Sequence, residues 1–248
     1  MFMSPLTVSN SKTLSVNQFD DYEKMSKQAA EDILALVAGH PKAVICLATG
    51  STPTHTYELL AKGAKGEEKR FANVHIVKLD EWGGLPIDHP STCEFYLRKY
   101  VLTPLGISQE RFLSLRPDAG EPKAECARVQ AELDRLGGID LCVLGLGVNG
   151  HLGFNEPAES IQPYVHVAAL APKTQKHPML EGSEIVPSYG MTLGMANILS
   201  AKQIMLLVNG QHKVSQLQRL LSQKVETSFP ASFLWLHNNV RLYSNVHI

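Results

Sequence analysis

Four segments of the chain combine residue types that can move protons or hold an anion. The most informative runs from Leu144 to Pro157, where Gly145, Gly147 and Gly150 fit G-x-G-x-x-G and His151 and Glu156 follow. A histidine can pass protons near neutral pH, and a nearby carboxylate sets its charge. A dinucleotide reading of the glycines is weak: Pro157 closes the segment before a long helix can form. No acidic residue stands near position ~170 to hold a ribose. The plainer alternative for His151 is a structural histidine. Asp80-Glu81 forms the second segment. A carboxylate leaving a strand end into a closed cleft can act as a general base, because partial burial raises its pKa. An acidic cap for the next helix is the alternative. The third segment, residues 49–54 from Thr49, follows a strand; Gly50 lets the backbone come close to a ligand, while Ser51 and Thr52 place hydroxyls beside free N–H groups. Pro53 suits a first helical turn, and such helix starts bind phosphate; an ordinary strand-to-helix turn is the other reading, since no Walker A motif occurs. The fourth, Asn209-Gly210-Gln211-His212-Lys213, puts a lysine where the helix dipole disfavours it unless an anion is close. A solvated surface lysine is the alternative there.

These segments need a scaffold, and the hydrophobic pattern supplies one. Residues 18–38 carry Phe19, Tyr22, Met25, Ala29, Ile33 and Val37 at helical spacing, with Asn17 as the expected N-cap and Asp20 three residues on. Short apolar runs at 43–48, 73–79, 139–144 and 203–208 read as buried strands. Helices are expected over 53–62, 91–102, 122–136 and 213–222. Strands separated by helices predict an α/β fold: one doubly wound, mainly parallel sheet with helices on both faces, in a single domain spanning 1–248. Ligands of such sheets bind beyond the carboxyl ends of the strands, where all four polar segments fall. Residues 157–190 hold five of the fourteen prolines and little periodicity; they read as a lid or as a surface excursion.

Composition narrows the function classes. Across 248 residues, 23 Lys+Arg against 24 Asp+Glu leave a formal charge of −1, without the basic excess of a nucleic-acid binder. No apolar run approaches the ~18 residues that span a bilayer, and residues 1–15 lack the basic start and apolar core of a signal peptide. Cys46, Cys93, Cys126 and Cys142 form no C-x-x-C pair, which argues against a zinc site and fits reduced thiols in the cytoplasm. The expectation is a cytoplasmic protein with no membrane, nucleic-acid or metal partner.

Together LATGSTPT, KLDEW, GLGVNGHLGFNEP and LVNGQHK resemble the hexosamine-6-phosphate isomerase/deaminase family, in its order and spacing, over about residues 15–245. The G-H-x-x-x-N-E-P run separates this family from the related 6-phosphogluconolactonases. VKLDEW, DLCVLGLG-x-NGHLG-x-NEP and PASFLWLH are similar to the galactosamine-6-phosphate branch, whereas glucosamine-6-phosphate deaminases typically read MDEY and carry Asp where this chain has Asn149. The resemblance implies cofactor-free conversion of a small amino sugar phosphate to a ketose phosphate and ammonia. It implies catalytic roles for Asp80, His151, Glu156 and Asn149. Thr49, Gly50, Ser51, Thr52, Gly147 and Lys213 would bind substrate, with Gly147 letting the backbone approach the sugar. A homo-oligomer is compatible with it. The lactonase activity is the rival within enzymes. A sugar-phosphate sensor is the rival outside them, although the roughly 15 residues before the first helix cannot form a helix-turn-helix.

Three departures from the family pattern stand out. Asn149 is neutral, so Glu156 carries more of the charge facing His151. The family's phosphate-binding arginine has no secure counterpart, and Lys173, Lys176 and His177 are the nearby substitutes. Residues 164–168, Tyr-Val-His-Val-Ala, lack the basic groups of the allosteric phosphate site of hexameric glucosamine deaminases, and the chain stops at Ile248. Saturation curves are therefore expected to be hyperbolic and unchanged by an N-acetylated sugar phosphate; sigmoidal curves relieved by that ligand would overturn the expectation.

Overall fold

Each central strand is apolar on both sides, so it must be covered twice, and the chain supplies a helical layer for each face. The computed structural model describes residues 14–171 and 174–247. The strands are β1 (Leu14–Gln18), β2 (Val44–Leu47), β3 (His75–Lys78), β4 (Asp80–Trp82), β5 (Phe112–Leu113), β6 (Leu141–Gly145), β7 (His166–Ala169), β8 (Tyr189–Thr192), β9 (Gln203–Val208) and β10 (Val240–Ser244). The helices are α1 (Tyr22–Gly39), α2 (Ser51–Ala64), α3 (Cys93–Leu97), α4 (Thr103–Leu105), α5 (Pro122–Leu136), α6 (Met195–Leu199) and α7 (Val214–Leu221). Seven strands form a parallel sheet in the order β1-β10-β9-β6-β2-β3-β5.

Alternation along the strands builds two cores. On β6, Leu141 and Val143 join Ile45, Leu47, Ile76, Met205 and Leu207 beneath α1 and α2, which contribute Met25, Ala29, Ile33, Tyr57 and Leu60. Cys142 and Leu144 face the other way, with Cys46, Val77, Ile204 and Leu206, against Val129 and Leu133 of α5 and Leu217 and Leu220 of α7. This period-two division puts helices on both faces of the sheet, as the α/β reading requires.

A second, antiparallel sheet, β4-β8-β7, sits beyond the end of β3. The chain leaves the main sheet at Lys78, passes Leu79 and enters β4 at Asp80. Residues 157–190 are thus not a featureless excursion. They contain β7, the start of β8 and two 3-10 turns, Thr174–Lys176 and Pro178–Leu180. The helix at 91–102 is also interrupted, because α3 runs into a π turn, Arg98–Leu102, before α4.

The first helix corrects the sequence expectation. Asn17 lies inside β1, and Asp21 is the N-cap, accepting a 2.7 Å hydrogen bond from Lys24 N. Consecutive aspartates at 20 and 21 both suit a cap, and pairing of β1 with β10 decides where the helix begins. No helix among the described residues is long and apolar enough to cross a membrane.

Candidate active site

Four strand ends, those of β2, β3, β6 and β9, open into one cavity. Its wall includes residues 48–53, Asp80, Trp82, Cys93, residues 145–148, His151, Gly153, Thr174, His177, Met179 and Lys213. Every substrate-binding candidate from the sequence (Thr49, Gly50, Ser51, Thr52, Gly147 and Lys213) borders it, as do Asp80 and His151. Asn149 and Glu156 do not border it and instead contact His151.

The Asp80-Glu81 pair divides between the cavity wall and the start of α3. Successive strand side chains point oppositely. Glu81 turns inward and caps α3, accepting from Cys93 N at 2.9 Å and Glu94 N at 2.8 Å. Asp80 turns to the cavity wall with only 9 % exposure, its Oδ1 3.9 Å from Cys93 Sγ. Burial, reinforced by the Glu81 charge, raises its pKa to about 7; Lys78 and the Cys93 thiol pull the other way. A carboxyl poised there can exist as a free base at neutral pH and is far more basic than an exposed aspartate.

The loop after β6 builds a second proton-handling group. His151 Nδ1 lies 3.5 Å from Glu156 Oε2, a charge-pair contact without hydrogen-bond geometry. Asn149 braces both: its Nδ2 donates to Glu156 Oε2 at 2.7 Å and its Oδ1 accepts from His151 N at 3.3 Å. Thr174 Oγ1 donates to Glu156 Oε1. Burial raises the Glu156 carboxyl, but His151, Thr174 and Asn149 outweigh it and hold the pKa at about 2, so this side chain stays ionised. Gly147, on the cavity wall, also lies against His151. A Cβ at that position would overlap the His151 ring, so the absent side chain makes room for the imidazole.

The loop is tied to Asp80 through β8. Thr192 pairs with Asp80, and its hydroxyl accepts from Phe154 N at 3.2 Å and reaches Leu79 O at 3.4 Å. Asn155 donates to Leu152 O and Leu193 O, at 2.9 and 2.8 Å. These bonds fix the separation of the two proton-handling groups.

The anion end is held by three tyrosines. Tyr57 donates to Ala48 O, Tyr96 to Gly50 O and Tyr22 to Ser51 O and Thr52 O, all at 2.8–3.0 Å. Gly50, at φ +103°, is the N-cap of α2 and offers no side chain, so the first-turn N–H groups are left for a ligand. Thr49 directs its hydroxyl to Cys93 Sγ and Met179 Sδ. Lys213, in the turn after β9, is 8 % exposed at the same wall. Of the three substitutes for the missing arginine, His177 reaches the cavity; Lys173 and the side chain of Lys176 lie outside the described residues. Burial and the nearby His151 and Lys213 charges lower the His177 pKa. Cys93, Thr174 and Met179 carry no motif and were invisible in the sequence, since only folding brings them here.

A buried base, an imidazole beside a permanent carboxylate, and an uncapped helix start with a lysine can together move protons on a small anionic substrate. No group of three or more potential metal ligands occurs among the described residues.

Comparison with known proteins places the chain among sugar-phosphate enzymes. The family model described as "Glucosamine-6-phosphate isomerases/6-phosphogluconolactonase" matches residues 20–243. The AgaI protein of Escherichia coli (strain K12), whose name assigns deaminase activity only provisionally, is 44% identical over 225 residues, covering 91% of this chain and 89% of that protein. A glucosamine-6-phosphate deaminase of Thermoanaerobacter sp. (strain X514) is 37% identical, covering 90% and 88%. Among solved structures, a monomeric glucosamine-6-phosphate deaminase superposes with a TM-score of 0.85 at 35% identity, covering 92% and 95%. The 6-phosphogluconolactonase of Trypanosoma brucei, at 20% identity and a TM-score of 0.73 over 92% and 95%, shares the fold.

The raised Asp80 pKa has a stability consequence. The folded protein keeps a proton that the unfolded chain releases near pH ~3.9, so stability falls as pH rises from there to about 7. Asp80→Asn lacks this penalty. Its thermal midpoint should exceed that of the wild type by a few degrees at pH 8 and match it at pH 4; a difference independent of pH would contradict the burial argument.

Proposed function

The chain belongs to the family of glucosamine-6-phosphate isomerases and 6-phosphogluconolactonases, and from that premise we propose that it converts galactosamine 6-phosphate to tagatose 6-phosphate and ammonia. The observation that carries the reaction type is Asp80, a buried carboxyl with its pKa raised to about 7, in one cavity with the α2 N-terminus and with His151, which Glu156 backs from outside the cavity wall. Lactone hydrolysis does not call for a base aimed at carbon, whereas aldose–ketose isomerisation does.

The 6-phosphate docks on the N–H groups at Gly50, Ser51 and Thr52, with Thr49 and Lys213 on the same cavity wall. Anchoring there uses binding energy remote from the reacting carbon to position it. His151 passes a proton to the ring oxygen and opens the sugar, while the ionised Glu156 faces its ring and Asn149 holds Glu156 in place. Asp80 takes the C2 proton, acidified by the C1 aldehyde, and an enolamine forms. Protonation at C1 gives the C2 imine, which water hydrolyses to the ketose and ammonia. The sequence of charges needs no cofactor. We place the reaction in the cytoplasm, where the four unpaired, buried cysteines fit a reducing milieu.

Preference for the galacto epimer rests on Asn149 and on the KLDEW and PASFLWLH stretches. Incubation with galactosamine 6-phosphate and glucosamine 6-phosphate in separate assays, reading ammonia and ketose phosphate, tests both levels. Faster turnover of the galacto epimer is expected. A faster gluco reaction would overturn the epimer assignment alone, and no ammonia from either would overturn the reaction. Asp80→Asn should slow exchange of the C2 proton with solvent deuterium by at least ~10²-fold while substrate still binds; undiminished exchange would remove Asp80 as the base.

A further inference from the structure

The run that carries Asp80 also anchors a buried set of charged side chains that the reaction as written does not use. Lys78 and Glu81 have no exposed side-chain surface, and Glu94 is 2 % exposed. Lys78 Nζ donates to Glu81 Oε2 at 2.6 Å and to Glu94 Oε2 at 3.0 Å. Glu81 Oε1 accepts from Trp82 N at 2.8 Å and from Cys93 N, and its Oε2 accepts from Glu94 N. Glu94 also receives Ser114 Oγ at 2.5 Å and Arg98 Nε at 2.9 Å. Two cations and two carboxylates thus balance, and Glu81 and Glu94 are satisfied at both oxygens.

Stability does not explain this arrangement. A fully buried ion pair costs several kcal/mol of desolvation per ion, roughly, and apolar side chains of similar size often serve as well or better. Capping α3 needs only the Glu81 carboxylate. A reason for a buried lysine exists two residues along the chain, where Asp80 must alternate between neutral and charged forms with no lysine or arginine hydrogen-bonded to it among the described residues. The groups bearing on Asp80 are Glu81 and Lys78 from its own run and the Cys93 thiol from α3. Across the cavity stand His151, His177 and Lys213. Glu81 repels a charge on Asp80, and Lys78 offsets that repulsion. The cluster also fixes the backbone on both sides of the base. It holds Lys78 and Glu81 on the strand, and Cys93 N through Glu81, so the thiol stays beside Asp80 Oδ1.

We propose that Lys78 is a positioning residue for the base: its buried ammonium, locked to Glu81 and Glu94 and linked to Asp80 through Glu81 and Cys93, allows Asp80 to ionise in a site that would otherwise hold it neutral. The proposal deepens the proposed reaction and rests on Asp80 being its base, but its test needs no substrate. The carboxyl 13C resonance of Asp80, identified by its loss in Asp80→Asn, reports the ionisation of the resting protein as pH is varied. In Lys78→Met the titration midpoint should rise by about one pH unit or more, and in Lys78→Arg it should stay close to wild type. In Glu81→Gln, where Lys78 keeps its bond to Glu94 but loses an opposing charge, the midpoint should fall by a similar amount. Opposite shifts from removing opposite charges are not what a purely structural cluster would give. If Lys78→Met does not fold, Glu81→Gln decides alone. A midpoint in Glu81→Gln that is unchanged or raised, or one in a folded Lys78→Met that is unchanged or lowered, would overturn the proposal. Failure of wild-type protein to release ammonia would instead overturn the reaction and leave this titration result standing.

Discussion

A carboxylate taken out of water at the end of a parallel strand is the constraint on which the rest of this site depends. Asp80 is a weak base where water is free to solvate it and a useful one where water is excluded. Burial supplies that change, but a buried carboxyl also resists ionisation, so its surroundings must be set within narrow limits. The switch from the main sheet into β4 turns Asp80 to the cavity and Glu81 into the protein. Thr192 and Asn155 tie that switch to the loop bearing His151. The small antiparallel sheet thereby sets the geometry between base and imidazole.

The two acidic groups of the site are driven in opposite directions by their neighbours. Asp80 has a repelling carboxylate beside it and titrates near neutrality, whereas Glu156 collects donors and a histidine and remains charged. That separation suits the proposed division, in which Asp80 abstracts the proton and Glu156 stays a fixed charge beside His151. The proposed phosphate recognition uses local groups, the start of α2 and Lys213, so a chain of formal charge −1 suffices for it.

Much of this was legible in the sequence because parallel α/β sheets gather their post-strand loops at one edge. Residues 49–54, Asp80, His151 and Lys213 all follow strands whose apolar runs are plain, so their convergence follows from topology. β10 was hidden because Arg241 and flanking asparagines break a short apolar run. β7 and β8 were hidden among prolines, and β4 is only three residues long. Cys93, Thr174 and Met179 meet the site from segments with no periodic or motif signal. The division of labour between Asp80 and Glu81 follows from strand alternation, but its direction depends on where α3 begins. The buried partners of Lys78 lie up to 16 residues away along the chain, at a distance no local pattern records.

The central claim, that a buried Asp80 is the base, is tested most directly by the pH dependence of kcat with saturating galactosamine 6-phosphate. Bound substrate fills the cavity, so the low-pH limb should fall with unit slope and a midpoint at about 7 or slightly above. A rate that stays level down to pH ~5, the range of an ordinary exposed carboxylate, would contradict the account.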